Sequence, residues 1–128
     1  MSFLVTKPAP EFEAAAVLGD GRIDERFALR ELRGRYVFLL FYPLDFTFVC
    51  PTEILAFDEK LDQLDERGCS IVGISVDSPY TPAAWRRTAV ADGGIGPIRF
   101  PLVSDMSRAI ARSYGVLFEE SVALRGLF

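Results

Sequence analysis

The residues of this 128-residue chain with the most chemical capacity are two cysteines, Cys50 and Cys69, set in a sequence that contains no histidine. Without histidine, neither a Ser–His–Asp nor a Cys–His pairing can be built within one chain, and most zinc sites are excluded too. Two thiols cannot complete a structural zinc site. Catalysis would have to use Cys, Asp, Glu, Lys, Arg, Ser, Thr or Tyr. Cys50 closes an aromatic and apolar run, FYPLDFTFVCPTE at 41–53, and Pro51 follows it at once. A buried core cysteine is the ordinary explanation, because unpaired cysteine is among the most buried residue types. The sharper one is a reactive thiol at the start of a helix. The third residue after Cys50 is Glu53, so Cys50 does not belong to a Cys-x-x-Cys dithiol.

The flanking elements decide where Cys50 stands. RYVFLLFYP at 35–43 is a continuous apolar run, the pattern of a strand buried on both faces, and Pro43 ends it. TEILAFDEKLDQLDER at 52–67 has helical spacing, with Leu55, Phe57, Leu61 and Leu64 on one face and Gly68 at the C-cap position. Cys50 is therefore expected at or near the first turn of a helix, at the carboxyl end of a central strand. Ligands and chemistry collect at that edge of α/β sheets. Pro51 suits a first helical turn, where its missing N–H costs nothing. Unpaired amides and the partial positive charge there favour thiolate, and cysteines so placed can fall from about 8.5 to between ~3.5 and ~7.5 in pKa. Cys69 follows the far end of the same helix, a length of roughly 24 Å. A disulfide needs Cα atoms within about 7 Å. The two thiols should not pair in the folded chain, and Cys69, opening the apolar strand CSIVGISVD at 69–77, reads as a core cysteine.

The remainder of the chain gives the class. Residues 11–18, the turn GDGR at 19–22 and the extended stretch after it predict a hairpin, and ALRELRG at 28–34 a turn or short helix end. TPAAWRRTAVA at 81–91 predicts a helix with Pro82 in its first turn, and DGGIGP at 92–97 a loop. IRFPLVSD predicts a short strand, MSRAIARSYG a helix closed by Gly115, and SVALRGLF a strand at 121–128. Strands alternating with helices predict a three-layer α/β domain over residues 1–128 with a partly parallel central sheet. Half the residues are hydrophobic, a quarter are charged and the net charge is −4, as in ordinary soluble proteins. No basic stripe suggests nucleic acid, and no apolar run approaches the ~18 residues of a membrane span. Residues 1–8, MSFLVTKP, lack the apolar core of a secretory signal, so a cytoplasmic protein is expected.

With these residues in place, FYPLDFTFVCPTE resembles the active-site segment of peroxiredoxins of the typical two-cysteine branch. The signature Pro-x-x-x-Thr-x-x-Cys is met by Pro43, Thr47 and Cys50. Collinear with it are VGISVDS at 72–78, Trp85, GGIGP at 93–97, PLVSD at 101–105, YGV at 114–116 and LRGLF at 124–128. The resemblance implies a thioredoxin-like three-layer fold with a central mixed sheet and an added N-terminal hairpin. It implies a thiol-dependent peroxidase that reduces hydrogen peroxide and small organic hydroperoxides through a cysteine sulfenic acid, with no metal or organic cofactor. Cys50 would be the peroxidatic cysteine. Thr47 would hydrogen-bond thiolate and peroxide, Pro43 would shield the thiolate from water, and Arg125 would stabilise it and orient the substrate. Glu53 would join an ionic network with arginines, and Trp85 would pack near the pocket. Taken singly, the ordinary explanation is the better one for each of these residues except Cys50; taken together in register, it is not.

The resemblance also implies partners: a hydroperoxide substrate, a thiol reductant (thioredoxin or a dedicated disulfide reductase), and further copies of the chain in a dimer or a ring of dimers. The ring contact would use residues 44–46 and 78–81. Family members carry a resolving cysteine in a tail well beyond LRGLF, and this chain stops at Phe128. The expectation is a chain truncated at its C-terminal end, without its last strands or resolving cysteine, whose sulfenate would need an external thiol. GGIGP resembles a motif tied to overoxidation, whose partner motif would lie in that tail. Two other readings stand beside the peroxidase. One is a non-catalytic holdase chaperone or structural remnant of the same fold; the other is a general disulfide oxidoreductase, which Glu53 opposes.

Overall fold

A computed structural model describes residues 4–45 and 50–128, with Cys50 described by its backbone alone. The chain opens with a hairpin, in which β1 (Glu13–Val17) and β2 (Ile23–Ala28) pair antiparallel around the GDGR turn. A 3₁₀ turn at Leu29–Leu32 leads to β3 (Tyr36–Phe41). Then come α1 (Cys50–Glu59), α2 (Leu61–Glu66), β4 (Cys69–Ser75) and α3 (Tyr80–Arg87). The rest is β5 (Leu102–Ser104), α4 (Ala109–Ser113), the short pair β6 (Leu117–Phe118) and β7 (Val122–Ala123), and β8 (Gly126–Leu127). Six strands form one sheet in the order β2-β1-β5-β4-β3-β8. Its centre, β3–β4–β5, is parallel; β1 joins β5, and β8 joins β3, antiparallel.

The period-2 alternation of side chains divides the apolar residues of the central strands between two faces. Leu39, Phe41, Val72, Ile74 and Val103 build one core with Ile110 and Ala111 of α4. Leu40, Tyr42, Ile71 and Leu102 build the other with Ile54 of α1 and Trp85 of α3, and the α1–α2 residues Leu55, Phe57, Leu61 and Leu64 pack against it. Helices thus cover both faces, which is the expected three-layer α/β arrangement with a mixed sheet and an N-terminal hairpin. Among the described residues no helix is long and apolar enough to cross a membrane.

Four elements differ from expectation: the helix expected over 81–91 ends at Arg87, and three others are displaced by specific contacts. The single helix expected over 52–67 breaks at Lys60, between α1 and α2. Arg99 reaches into the helical ladder there: its Nη2 donates to the Asp58 carbonyl at 2.7 Å and its Nη1 to Asp62 Oδ1 at 2.8 Å. A side chain that occupies a helical carbonyl interrupts the regular bonding. The helix expected from Met106 starts three residues later, at Ala109. The buried carboxylate of Asp105 accepts from Ile110 N–H at 3.1 Å and Ala111 N–H at 2.7 Å, so residues 106–108 loop around it and Arg108 takes a left-handed φ of 64°. The strand expected over 121–128 is two pieces. β7 pairs with β6, and only β8 reaches the main sheet.

The 92–97 loop is packed rather than loose. It folds back on the end of α3, with Ile95 N–H bonded to Trp85 O at 3.2 Å and Gly96 N–H to Thr88 O at 3.1 Å. A side chain at Gly94 would place its Cβ 2.0 Å from the Thr88 carbonyl oxygen, so this close approach requires glycine.

Candidate active site

The three parallel strands end on one edge of the sheet, and an aspartate follows each: Asp45 after β3, Asp77 after β4 and Asp105 after β5. The same edge receives the start of α1. Cys50 is the first residue of that helix by its backbone, and Pro51 is the second. Ile54, fully buried, fixes the first turn of α1 against the core. The opening amides of such a helix have no partners inside it and carry partial positive charge, which suits an anion.

Arg125 arrives at this edge by strand pairing. β8 lies antiparallel to β3 with Leu127 opposite Leu40 and Gly126 opposite Phe41, so Arg125 comes next, level with the carboxyl end of β3. Two backbone hydrogen bonds between Leu39 and Phe128, at 2.9 and 3.0 Å, clamp that register. The Phe128 ring packs edge-on against Phe41 and Tyr114, with centroids 5.7 and 5.3 Å away. Arg125 Nε then donates to Glu53 Oε1 at 3.0 Å, linking residues 72 apart in sequence. Glu53 lies in the first turn of α1, and its second oxygen, Oε2, is buried without a hydrogen bond.

Of the residues singled out from the sequence, Glu53 and Arg125 are brought together in contact, and Cys50 opens the turn to which Glu53 belongs. Pro43 lies half-buried just past the end of β3. Trp85 is fully buried; its Nε1–H donates to the Gly93 carbonyl at 3.1 Å, and its ring lies 6.0 Å from that of Tyr42. It reaches the site through Tyr42, which continues β3. Thr47 lies outside the described residues.

The backbone superposes closely on that of a Plasmodium vivax 2-Cys peroxiredoxin in its reduced form, with a TM-score of 0.95 and 49% identity over 98% of this chain and 65% of that one. The AhpC/TSA family model matches residues 5–128. This chain belongs to the AhpC/TSA family. Alkyl hydroperoxide reductase C of Helicobacter pylori strain J99 is 52% identical over 126 residues, which are 98% of this chain and 64% of that protein. Peroxiredoxin-1 of Gallus gallus is 50% identical over 125 residues, 97% of this chain and 62% of that protein. The chain thus spans a little under two thirds of the length of these AhpC/TSA relatives.

The structure also joins Tyr42 and Asp45 of FYPLDFTFVCPTE to Ser75 and Asp77 of VGISVDS in a polar cluster outside the Pro-x-x-x-Thr-x-x-Cys signature. Asp45 is only 6% exposed. Its N–H donates to Asp77 Oδ2 at 2.8 Å, and Ser75 Oγ donates to the same oxygen at 3.0 Å. The Tyr42 hydroxyl and both Asp45 carboxyl oxygens are sealed from water without a well-formed hydrogen bond. Burial, and then the charge of Asp77, push the Asp45 carboxyl up to about 7, against a lesser pull from the Tyr42 hydroxyl. Burial likewise raises the Tyr42 phenol well above its ordinary value, with Asp45 beside it. The sequence does carry a signal for this cluster: an acid a few residues past each of two apolar strands. The parallel register, Phe41 opposite Ile74, makes those two acids neighbours.

Proposed function

We propose that this chain is the peroxidatic part of a thiol-dependent peroxidase, with Cys50 as the reacting group. The observation that supports this best is the convergence of Cys50 and Arg125 on one helical turn. A thiol at the amino end of α1 and a guanidinium held at its first turn by Glu53, 3.0 Å away, are the two features that hold a thiolate at neutral pH without histidine.

The reaction follows from that pairing. The Cys50 thiolate attacks the terminal oxygen of the hydroperoxide. An S–O bond forms, the O–O bond breaks, and sulfur loses two electrons. The departing oxygen takes a proton and leaves as water or an alcohol, and Cys50 becomes a sulfenic acid. Negative charge moves onto the departing oxygen as the O–O bond lengthens, and fixed donors around it lower the barrier. Arg125 is assigned that role with the opening amides of α1, Thr47 is assigned hydrogen bonds to thiolate and peroxide through its hydroxyl, and Pro43 is assigned the exclusion of water. Trp85 and Glu53 hold these groups in place. Reduction then uses two thiols. The first condenses with the sulfenate and releases water, and the second displaces Cys50 as a thiol.

Hydrogen peroxide and small organic hydroperoxides are the proposed substrates, and thioredoxin or a dedicated disulfide reductase the proposed reductant. Residues 1–128 are read as one domain that assembles with further copies of itself. A cytoplasmic location belongs to the same reading. The test is peroxide consumption in excess dithiothreitol by the wild type and by Cys50→Ser, with mass spectrometry after mild peroxide treatment. The wild type should turn over and Cys50 should gain oxygen before Cys69. Equal rates, or equal oxidation of the two cysteines, would remove the peroxidase reading in favour of a non-catalytic role.

A further inference from the structure

The cluster past the ends of β3 and β4 holds, among the described residues, two acids and no base. Asp45 is approached by Asp77 from the end of β4 and by the Tyr42 hydroxyl from the end of β3. Ser75 faces Tyr42 and Asp77 from β4, and the uncharged Trp85 closes the cluster from α3. Asp77 uses one oxygen to accept both the Asp45 N–H and the Ser75 hydroxyl, and its own N–H leans on Ser75 Oγ at 3.4 Å. Asp45 has the opposite surroundings: it is sealed from water, neither carboxyl oxygen is well bonded, and an anion sits on its own amide. Two neighbouring carboxyl groups removed from water do not both ionise readily.

We propose that Asp45 carries a proton beside the Asp77 carboxyl group, and that this proton latches the backbone just past β3, at Asp45. With the proton in place, Asp77 grips the Asp45 amide and fixes the backbone five residues before the cysteine. Loss of the proton puts a second negative charge into the sealed cluster, and repulsion across the Asp45–Asp77 contact loosens the grip. Because the folded protein holds this proton more tightly than the unfolded chain, the stabilisation is full below the ordinary carboxylate range and is lost as pH rises through about 7. Asp77 is thus a positioning residue that acts on Cys50 through the backbone at Asp45. The catalytic consequence rests on the reading of Cys50 as the peroxidatic group; the latch itself does not.

Trp85 supplies the measurement. It is the only tryptophan in the chain, and it packs on Tyr42. Its fluorescence should be titrated from about pH 5 to about pH 9, an interval that brackets the proposed proton loss. The background should be Cys50→Ser, which removes the reactive thiol's own ionisation. A transition centred near neutrality is expected in Cys50→Ser. It should vanish when Asp45→Asn is added, and it should move to lower pH with Asp77→Asn, which removes the opposing charge and still allows Asp45 to titrate. A flat profile in Cys50→Ser, or an unchanged midpoint in the Asp77→Asn double variant, overturns the latch. Peroxide consumption plays no part in this readout. Failure of the peroxidase reading would leave the titration standing, and the reverse also holds.

Discussion

Replacing Arg125 with alanine separates what the residue does for the fold from what it does for the chemistry. Its ion pair with Glu53 is near the surface, with side chains 44% and 31% exposed. Pairs so placed contribute about 0.2–1 kcal/mol, because water screens them and two long side chains must be ordered. For a chain of this size, 1 kcal/mol corresponds to roughly 4 °C in melting temperature. Arg125→Ala should therefore lower the melting temperature by no more than about 4 °C. The oxidation of Cys50 should suffer far more. Removing one fixed donor from developing negative charge typically costs about 10²–10³ in rate, or ~2.7–4 kcal/mol. The assay is single-turnover oxidation by hydrogen peroxide, quenched at intervals and read by intact mass, so that no reductant enters. Arg125→Lys should fall between the two, since it keeps the charge and loses the planar fork. Glu53→Gln, which removes the partner charge and keeps the guanidinium, should cost less than Arg125→Ala. A rate loss in Arg125→Ala below about tenfold, ~1.4 kcal/mol, would refute the assignment. So would a loss of rate that disappears once the unfolded fraction is corrected for.

Other variants test the scaffold. Gly94→Ala drives a Cβ into the Thr88 carbonyl from 2.0 Å, with backbone on both sides, and should cost about 2–4 kcal/mol, seen as a melting point lowered by roughly 8–15 °C. Ile54→Ala, which empties a fully buried site beneath the first turn of α1, should cost about 2–5 kcal/mol in denaturant unfolding and slow Cys50 oxidation as well. Cys69→Ser should leave the oxidation rate of Cys50 unchanged within error, because Cys69 opens β4 beyond the far end of α2. Asp45→Asn should alter the pH dependence of stability. The wild type should lose stability relative to the variant as pH rises from about 4 to about 7, by on the order of 2–4 kcal/mol, and the difference should be flat above that. Urea titrations across that interval measure it.

Much of this arrangement was legible in the residues. The apolar run before Pro43 and the helical spacing after Thr52 place Cys50 at a strand-to-helix junction without any coordinates. The two sheet faces follow from simple alternation, as with Leu39 and Phe41 against Leu40 and Tyr42. What stayed hidden depends on contacts distant in sequence. Arg99 interrupts the α1–α2 ladder from 41 residues away, and no local pattern near Lys60 announces it. Asp105 delays α4 by capturing amides that periodicity alone would assign to helix. The chain splits near Leu124 because β7 finds its partner in β6 and β8 in β3, a choice among strands that SVALRGLF does not encode by itself. Asp45 looks like a turn residue in isolation; its burial emerges only when β4 delivers Asp77 alongside it.

The 72-residue span between Glu53 and Arg125 also sets a schedule for biosynthesis. At about 5–20 residues per second, Cys50 precedes the guanidinium out of the ribosome by on the order of 4–15 s. Throughout that interval the nascent Cys50 lacks the Arg125 guanidinium that the proposed mechanism assigns to it. On the proposed reading of Cys50, its sensitivity to oxidants would rise only when β8 seats beside β3 and brings Arg125 to Glu53, so unfinished polypeptides would be spared oxidation at that sulfur.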